Sequence, residues 1–251
     1  MLNSKKFTVR KMAIVGILGA LTAILGMTPI GLIPVGPTKA TILHIPVIIG
    51  AIMEGPVVGA FVGLIFGLFS IYSAITSPTP ISFAFLNPLV SVLPRILIGI
   101  TSYYVFKALK NLGSKKTLVL LNVIWALVTG YLVYGIYSNI KSSQSIWLIV
   151  MNIALIILTG VMVYLTNWKS MGKALDVVVA TIIGTLTNTG LVLAMMYLLY
   201  AQDFEKALGL NSGLAGKTIF GIGVANGIPE IIIAVLFVTS VVSALRKQDK
   251  N

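Results

Sequence analysis

No cysteine occurs in the 251 residues, and histidine occurs once, as His44. Disulfides and thiolate metal sites are thereby excluded, and a His/carboxylate metal centre has too few ligands to draw on. Only six residues are acidic and only 10% are charged, so hydrolytic chemistry has little to work with. No serine sits in a G-x-S-x-G context, which argues against a nucleophile-elbow hydrolase. What remains is apolar: 57% of the residues are hydrophobic and the mean hydropathy is +1.03. No soluble domain needs that much apolar surface, so the solvent is a bilayer. Twenty-four glycines suit helices that approach closely within it. The net charge of +12 does not indicate nucleic acid, because the cations cluster between apolar runs as positive-inside loops do.

A membrane-crossing helix needs about 20 apolar residues. Segments meeting or approaching that rule lie near 9–33, 41–54, 57–76, 83–109, 117–138, 145–166, 174–200 and 218–245. The first is read as a membrane helix rather than a signal peptide, since no cleavage site interrupts it before Pro29. The short second segment and the third join at Glu54-Gly55-Pro56, a helix stop and restart. Two thin spans and a re-entrant hairpin both fit that pattern. Lys5, Lys6, Arg10, Lys11, Lys107, Lys110, Lys115, Lys116, Lys169, Lys173, Arg246, Lys247 and Lys250 fall on one side of the resulting topology. Lys39, Lys141, Lys206 and Lys217 fall on the other, and Arg95 lies within. Both termini are therefore expected in the cytoplasm of a multi-pass plasma-membrane protein. The expected fold is an all-α integral membrane protein, one polytopic domain over 1–251. Within it, 9–112 and 174–246 form the core bundle. The segment 117–168 carries all three tryptophans and reads as a peripheral helical hairpin with its tryptophans in the interface belt.

Polar residues at membrane depth need a partner or a task. Asn87, Ser91 and Arg95 are spaced to share one face of a continuous fourth helix, and Asn226 and Glu230 share a face of the last. Thr181, Thr185 and Asn188 share a face of the seventh. At 1.5 Å per residue, Arg95, Glu230 and Asn188 all lie about 18 Å below the outer helix ends. The pattern predicts a polar shaft open to the outside with Arg95 at its floor and Glu230 as its counter-charge. Pro88, Pro94 and Pro229 each free a carbonyl and bend their helix. His44 and Tyr72 are further candidate contacts, as is Lys39. The loops 35–41 and 73–82, rich in Pro, Ser and Thr, are candidates to cover the mouth. Arg95 and Lys39 favour an anionic ligand. Glycines at 55, 59, 63 and 67 line one helix face for close packing; Gly16/Ala20 and Gly19/Ala23 repeat the pattern in the first helix. Asn211-Ser-Gly-Leu-Ala-Gly-Lys-Thr218 imitates a phosphate loop but lacks its first glycine and the preceding strand, and is rejected as one.

The stretches LHIPVIIGAIMEGPVVGAFVGLIFGL, NPLVSVLPRILIG, TLTNTGLVL and ANGIPEIIIA resemble the substrate-binding S components of energy-coupling-factor (ECF) vitamin transporters, most of all the pantothenate subfamily. The resemblance covers 9–112 and 174–246 and implies a six-helix bundle, from which the 117–168 hairpin departs as an insertion. It implies an S component of an importer, not an enzyme, that binds a vitamin outside. It further implies partnership with a transmembrane coupling subunit, met by Gly16, Gly19, Ala20 and Ala23, and with two cytoplasmic ATPases. No cofactor or metal is expected. Asn87, Ser91, Arg95, Asn188, Asn226, Glu230, His44, Lys39 and Tyr72 are the expected substrate-binding set. Folate, cobalamin, riboflavin or nicotinate are alternative vitamins, and an ion-coupled secondary transporter is the alternative mechanism.

Overall fold

The computed structural model describes residues 8–28, 31–35, 38–141, 146–167 and 174–248. Helices α1 (Val9–Gly26), α2 (His44–Glu54) and α3 (Pro56–Thr76) are followed by two single turns, α4 (Ser82–Phe85) and α5 (Pro88–Ser91). Then come α6 (Leu93–Leu112), α7 (Ser114–Lys141), α8 (Ile146–Asn167), α9 (Leu175–Leu208) and α10 (Ala215–Gln248). Six spans among the described residues are long and apolar enough to cross a membrane: Val9–Gly26, Pro56–Thr76, Pro88–Leu112, Lys115–Lys141, Leu175–Leu208 and Ala215–Arg246. The protein is an all-α membrane protein apart from one small antiparallel hairpin, β1 (Leu32–Val35) with β2 (Thr38–Thr41), where a loop is expected from the sequence.

That hairpin follows from an early helix end. The first helix stops at Gly26, not near 33. Thr28 Oγ1 donates to the Leu25 carbonyl at 2.8 Å, and Pro29 then forbids continuation. The hairpin feeds α2, whose residues are buried from His44 to Ile52. At 11 residues, α2 is about 16 Å long, half of a roughly 30 Å hydrocarbon core. Its end is tied to the beginning of α1, because Arg10 Nη2 meets Glu54 Oε1 at 2.9 Å. The chain between α1 and α3 therefore returns to the level at which α1 begins, the hairpin leading into a half-length helix. Gly55 turns the corner into α3 at φ 103, a left-handed conformation that favours glycine.

The glycine run on α3 is a packing seam. A Cβ on Gly59 would stand 2.8 Å from Gly99 Cα, and one on Gly67 would stand 2.7 Å from Val92 Cα. Gly63 lies against the Arg95 carbonyl. Backbone thus meets backbone between α3 and the helix that carries Arg95, which fixes the position of that arginine. In α1 the small residues divide: Gly19 packs on Ile65, while Gly16 and Ala20 face outward with nothing within 4 Å of a Cβ at Gly16.

Contacts divide the chain into two compact units, Met1–Phe106 with Ala180–Asn251, and Lys107–Val179. In the second unit α7 and α8 pack on each other, and the amides of Asn122 and Asn167 bond reciprocally at 3.3 and 3.0 Å. Trp125 lies mid-helix and buried, not at a helix end in an interface belt. Trp168 and the side chain of Trp147 lie outside the described residues.

Candidate functional site

The fourth hydrophobic segment is not one helix, and the break builds the site. Pro88 has no N–H for the Ala84 carbonyl, which accepts instead from Asn87 N at 3.3 Å. Asn87 adopts an extended conformation and its side chain caps α5, accepting from Leu89 N at 2.9 Å. With Leu89 N so engaged, the Phe85 carbonyl takes the Ser91 hydroxyl. Pro94 frees the Val90 carbonyl in the same way, and Arg95 Nη1 donates to it at 2.6 Å. Asn87, Ser91 and Arg95 each repair backbone that the prolines leave open. They do not form the ladder on one helix face that the spacing predicts.

The repaired segment points Arg95 into a cavity lined by residues of β2, α3, α4, α6, α9 and α10. The cavity encloses about 130 Å³. The Arg95 side chain is buried between two rings, its Cζ 5.1 Å from the centroid of Phe66 and 5.6 Å from that of Phe85. Such faces attract a cation without neutralising it. Its Nε has no hydrogen-bond partner.

Glu230 lines the same cavity but is not ion-paired to Arg95. Among the described residues the ion pair is Arg10–Glu54. Both Glu230 oxygens are taken by neutral donors: Thr41 N gives to Oε1 at 2.6 Å and Thr189 Oγ1 to Oε2 at 2.7 Å. This corrects the expected direct counter-charge. A backbone amide brought in by the hairpin occupies the position that the sequence assigned to the guanidinium.

Of the expected binding set, Arg95, Asn188, Asn226 and Glu230 come together at the cavity. Asn188 is 3% exposed and its Oδ1 has no partner. The other candidates lie elsewhere. Asn87 donates from Nδ2 to the Tyr200 hydroxyl at 3.0 Å, and Ser91 is fully buried on Phe85. His44 is fully buried in the first turn of α2 and does not line the cavity. Tyr72 faces outward from α3, half exposed beside Phe69. The Lys39 side chain lies outside the described residues. Thr181 and Thr185 are interior, with the Thr185 hydroxyl on the Thr181 carbonyl at 3.0 Å. The apparent phosphate loop runs into the start of α10 with no strand before it.

Sequence reasoning missed Thr189 and the bond from Thr41, which together hold Glu230, and it missed Phe66 beside Arg95. It also missed Phe69 and Ser70 on the same α3 wall as Phe66. That wall had a signal: the three positions recur at helical spacing on a single face, in line with Ser73. Ser73 and Ser82 bound the second loop that the sequence offered as a cover, and both line the cavity.

The family of ECF transporter substrate-specific components matches residues 10–143, over half of the chain and running through α7. The pantothenic acid transporter PanT of Lactococcus lactis subsp. cremoris (strain MG1363) is 28% identical over 229 residues, covering 86% of this chain and 82% of that protein. The pantothenate transporter PanT of Leuconostoc mesenteroides subsp. mesenteroides is 40% identical over 77 residues, 30% of this chain and 37% of that protein. A helical membrane bundle holding a buried cation in a small-molecule cavity has the form a substrate-binding transport subunit needs, and this chain belongs to the family of ECF transporter substrate-specific components.

Proposed function

We propose that this protein binds pantothenate from outside the cell, as the S component of an ECF importer. The observation that carries the reading is Arg95: a buried guanidinium at a cavity wall, with no carboxylate within ion-pair distance among the described residues. An arginine keeps its charge, and the guanidinium, with one donor on the Val90 carbonyl, has donors left for an anionic ligand. Asn188, Asn226, Ser70 and Ser73 offer neutral hydrogen-bonding groups around it. A ligand with one carboxylate, an amide and hydroxyls suits that set, and pantothenate has all of these. The names of the two relatives support the same choice.

In this reading the chain performs no catalysis. It hands its vitamin to a transmembrane coupling subunit driven by two cytoplasmic ATPases. The outward face of α1 at Gly16 and Ala20 receives that subunit, with Gly19 and Ala23 behind it. Both termini lie in the cytoplasm, and 117–168 is a hairpin inserted into a single polytopic domain.

Calorimetry on detergent-purified protein with pantothenate, folate, riboflavin, cobalamin and nicotinate tests the proposal. Binding of pantothenate alone is expected. Preference for another of these vitamins reassigns the substrate, and no binding by monodisperse protein rejects the reading. Uptake by the isolated chain in proteoliposomes under an ion gradient would instead establish secondary transport.

A further inference from the structure

Glu230 was expected to face ligand or arginine, yet each of its carboxylate oxygens accepts a hydrogen bond from another element of the fold. Oε1 accepts from the backbone of Thr41, the last residue of β2, and Oε2 accepts from the Thr189 hydroxyl on α9. Glu230 itself stands on α10, immediately after Pro229. Thr41 is also the start of the next structure, since its Oγ1 accepts from Leu43 N at 3.2 Å just before α2. Thr41, Leu43 and Thr189 all line the cavity. One buried carboxylate therefore joins the hairpin, α9 and α10 around the ligand space.

We infer that Glu230 is a positioning residue: it holds the corner between β2 and α2 as a fixed wall of the cavity and does not touch the ligand. Two physical points carry this. A buried backbone N–H at the end of a strand needs an acceptor, and a carboxylate oxygen supplies a strong one. Charge-assisted bonds at 2.6 and 2.7 Å are also short and strong for their type. Glu230 consequently serves the corner, and Arg95 remains the charge available to an anion.

The inference rests on the cavity being the vitamin site, and the test separates the two. Three variants are compared with the unmodified protein: Glu230→Ala, Glu230→Gln and Thr189→Val. Gln offers an oxygen to Thr41 N and a donor to Thr189 Oγ1, so it keeps the corner without the charge; Ala keeps neither. Hydrogen exchange of the Thr41 amide, with no ligand present, is expected to speed up at least tenfold in Glu230→Ala. It should change less than threefold in Glu230→Gln and fall between in Thr189→Val. Pantothenate affinity should drop at least 30-fold in Glu230→Ala and be restored to within fivefold in Glu230→Gln. An unchanged Thr41 exchange rate in Glu230→Ala overturns the inference. So does an equal loss of affinity in Ala and Gln variants whose corner stays protected, because the charge itself then meets the ligand. If no vitamin binds any form, the substrate reading fails while the exchange experiment still decides the corner. Should Glu230→Ala not purify as a folded protein, Thr189→Val with Glu230→Gln carries both measurements.

Discussion

The polar side chains of the NPLVSVLPR stretch, Asn87, Ser91 and Arg95, bond to backbone groups around its two prolines. Ser91 is the clearest case. Its hydroxyl is buried and serves the Phe85 carbonyl, whose regular helical donor is engaged elsewhere. Ser91→Ala leaves that carbonyl unsatisfied and should cost about 1–3 kcal/mol of stability. Thermal unfolding in detergent, followed by tryptophan-independent circular dichroism, measures it. Arg95 has a double task, closing the Val90 carbonyl and presenting a cation between Phe66 and Phe85. Arg95→Ala should weaken pantothenate binding by about 2–5 kcal/mol. Arg95→Lys should recover little of that, since an ammonium lacks the planar fork that stacks between rings while reaching a carbonyl. Calorimetry on both variants checks this, and full recovery by lysine would reduce Arg95 to a simple point charge.

Among elements, the glycine seam of α3 decides how near the arginine-bearing helix lies. Gly59→Ala puts a methyl group 2.8 Å from Gly99 Cα, closer than real contacts allow, with backbone on the far side. The helices must separate, at a cost of about 1–3 kcal/mol, and the cavity should loosen with them. Gly16→Ala adds the same methyl into open space and serves as the control. The expected outcome is a lowered melting temperature and weaker ligand binding for Gly59→Ala, and neither for Gly16→Ala. Equal behaviour of the two would mean that the seam has no part in holding the site.

For the molecule as a whole, sidedness and assembly are the properties to test. Because the chain has no cysteine, single cysteines can be introduced without a background thiol. In intact cells an impermeant maleimide should label Lys206→Cys and Lys217→Cys but not Lys110→Cys or Lys115→Cys. The reverse pattern would place the termini outside. Replacing Gly16 and Ala20 together with tryptophan should abolish copurification with a coupling subunit while leaving vitamin affinity within twofold. Both positions face away from the unit to which α1 belongs. Loss of affinity with assembly intact would move the partner surface elsewhere.

The sequence alone determined the solvent and hence the class of fold. A bilayer leaves backbone groups no water to bond, so long apolar runs must become helices. That constraint is local, and among the described residues six of the eight expected segments form helices long and apolar enough to span. Convergence was legible too: Arg95, Asn188, Asn226 and Glu230 line one cavity, since polar residues on inward faces must meet something polar. The tertiary structure decided which groups pair. Periodicity presumes an unbroken helix, and the prolines at 88 and 94 broke it, turning Asn87 and Ser91 from candidate contacts into backbone repairs. Sequence spacing also carries no information about partners from distant segments. Thr41, 189 residues from Glu230 along the chain, takes the carboxylate that the pattern assigned to Arg95. Only the folded hairpin brings that amide to Glu230, so the carboxylate bonds to Thr41 and Thr189 and not to the arginine.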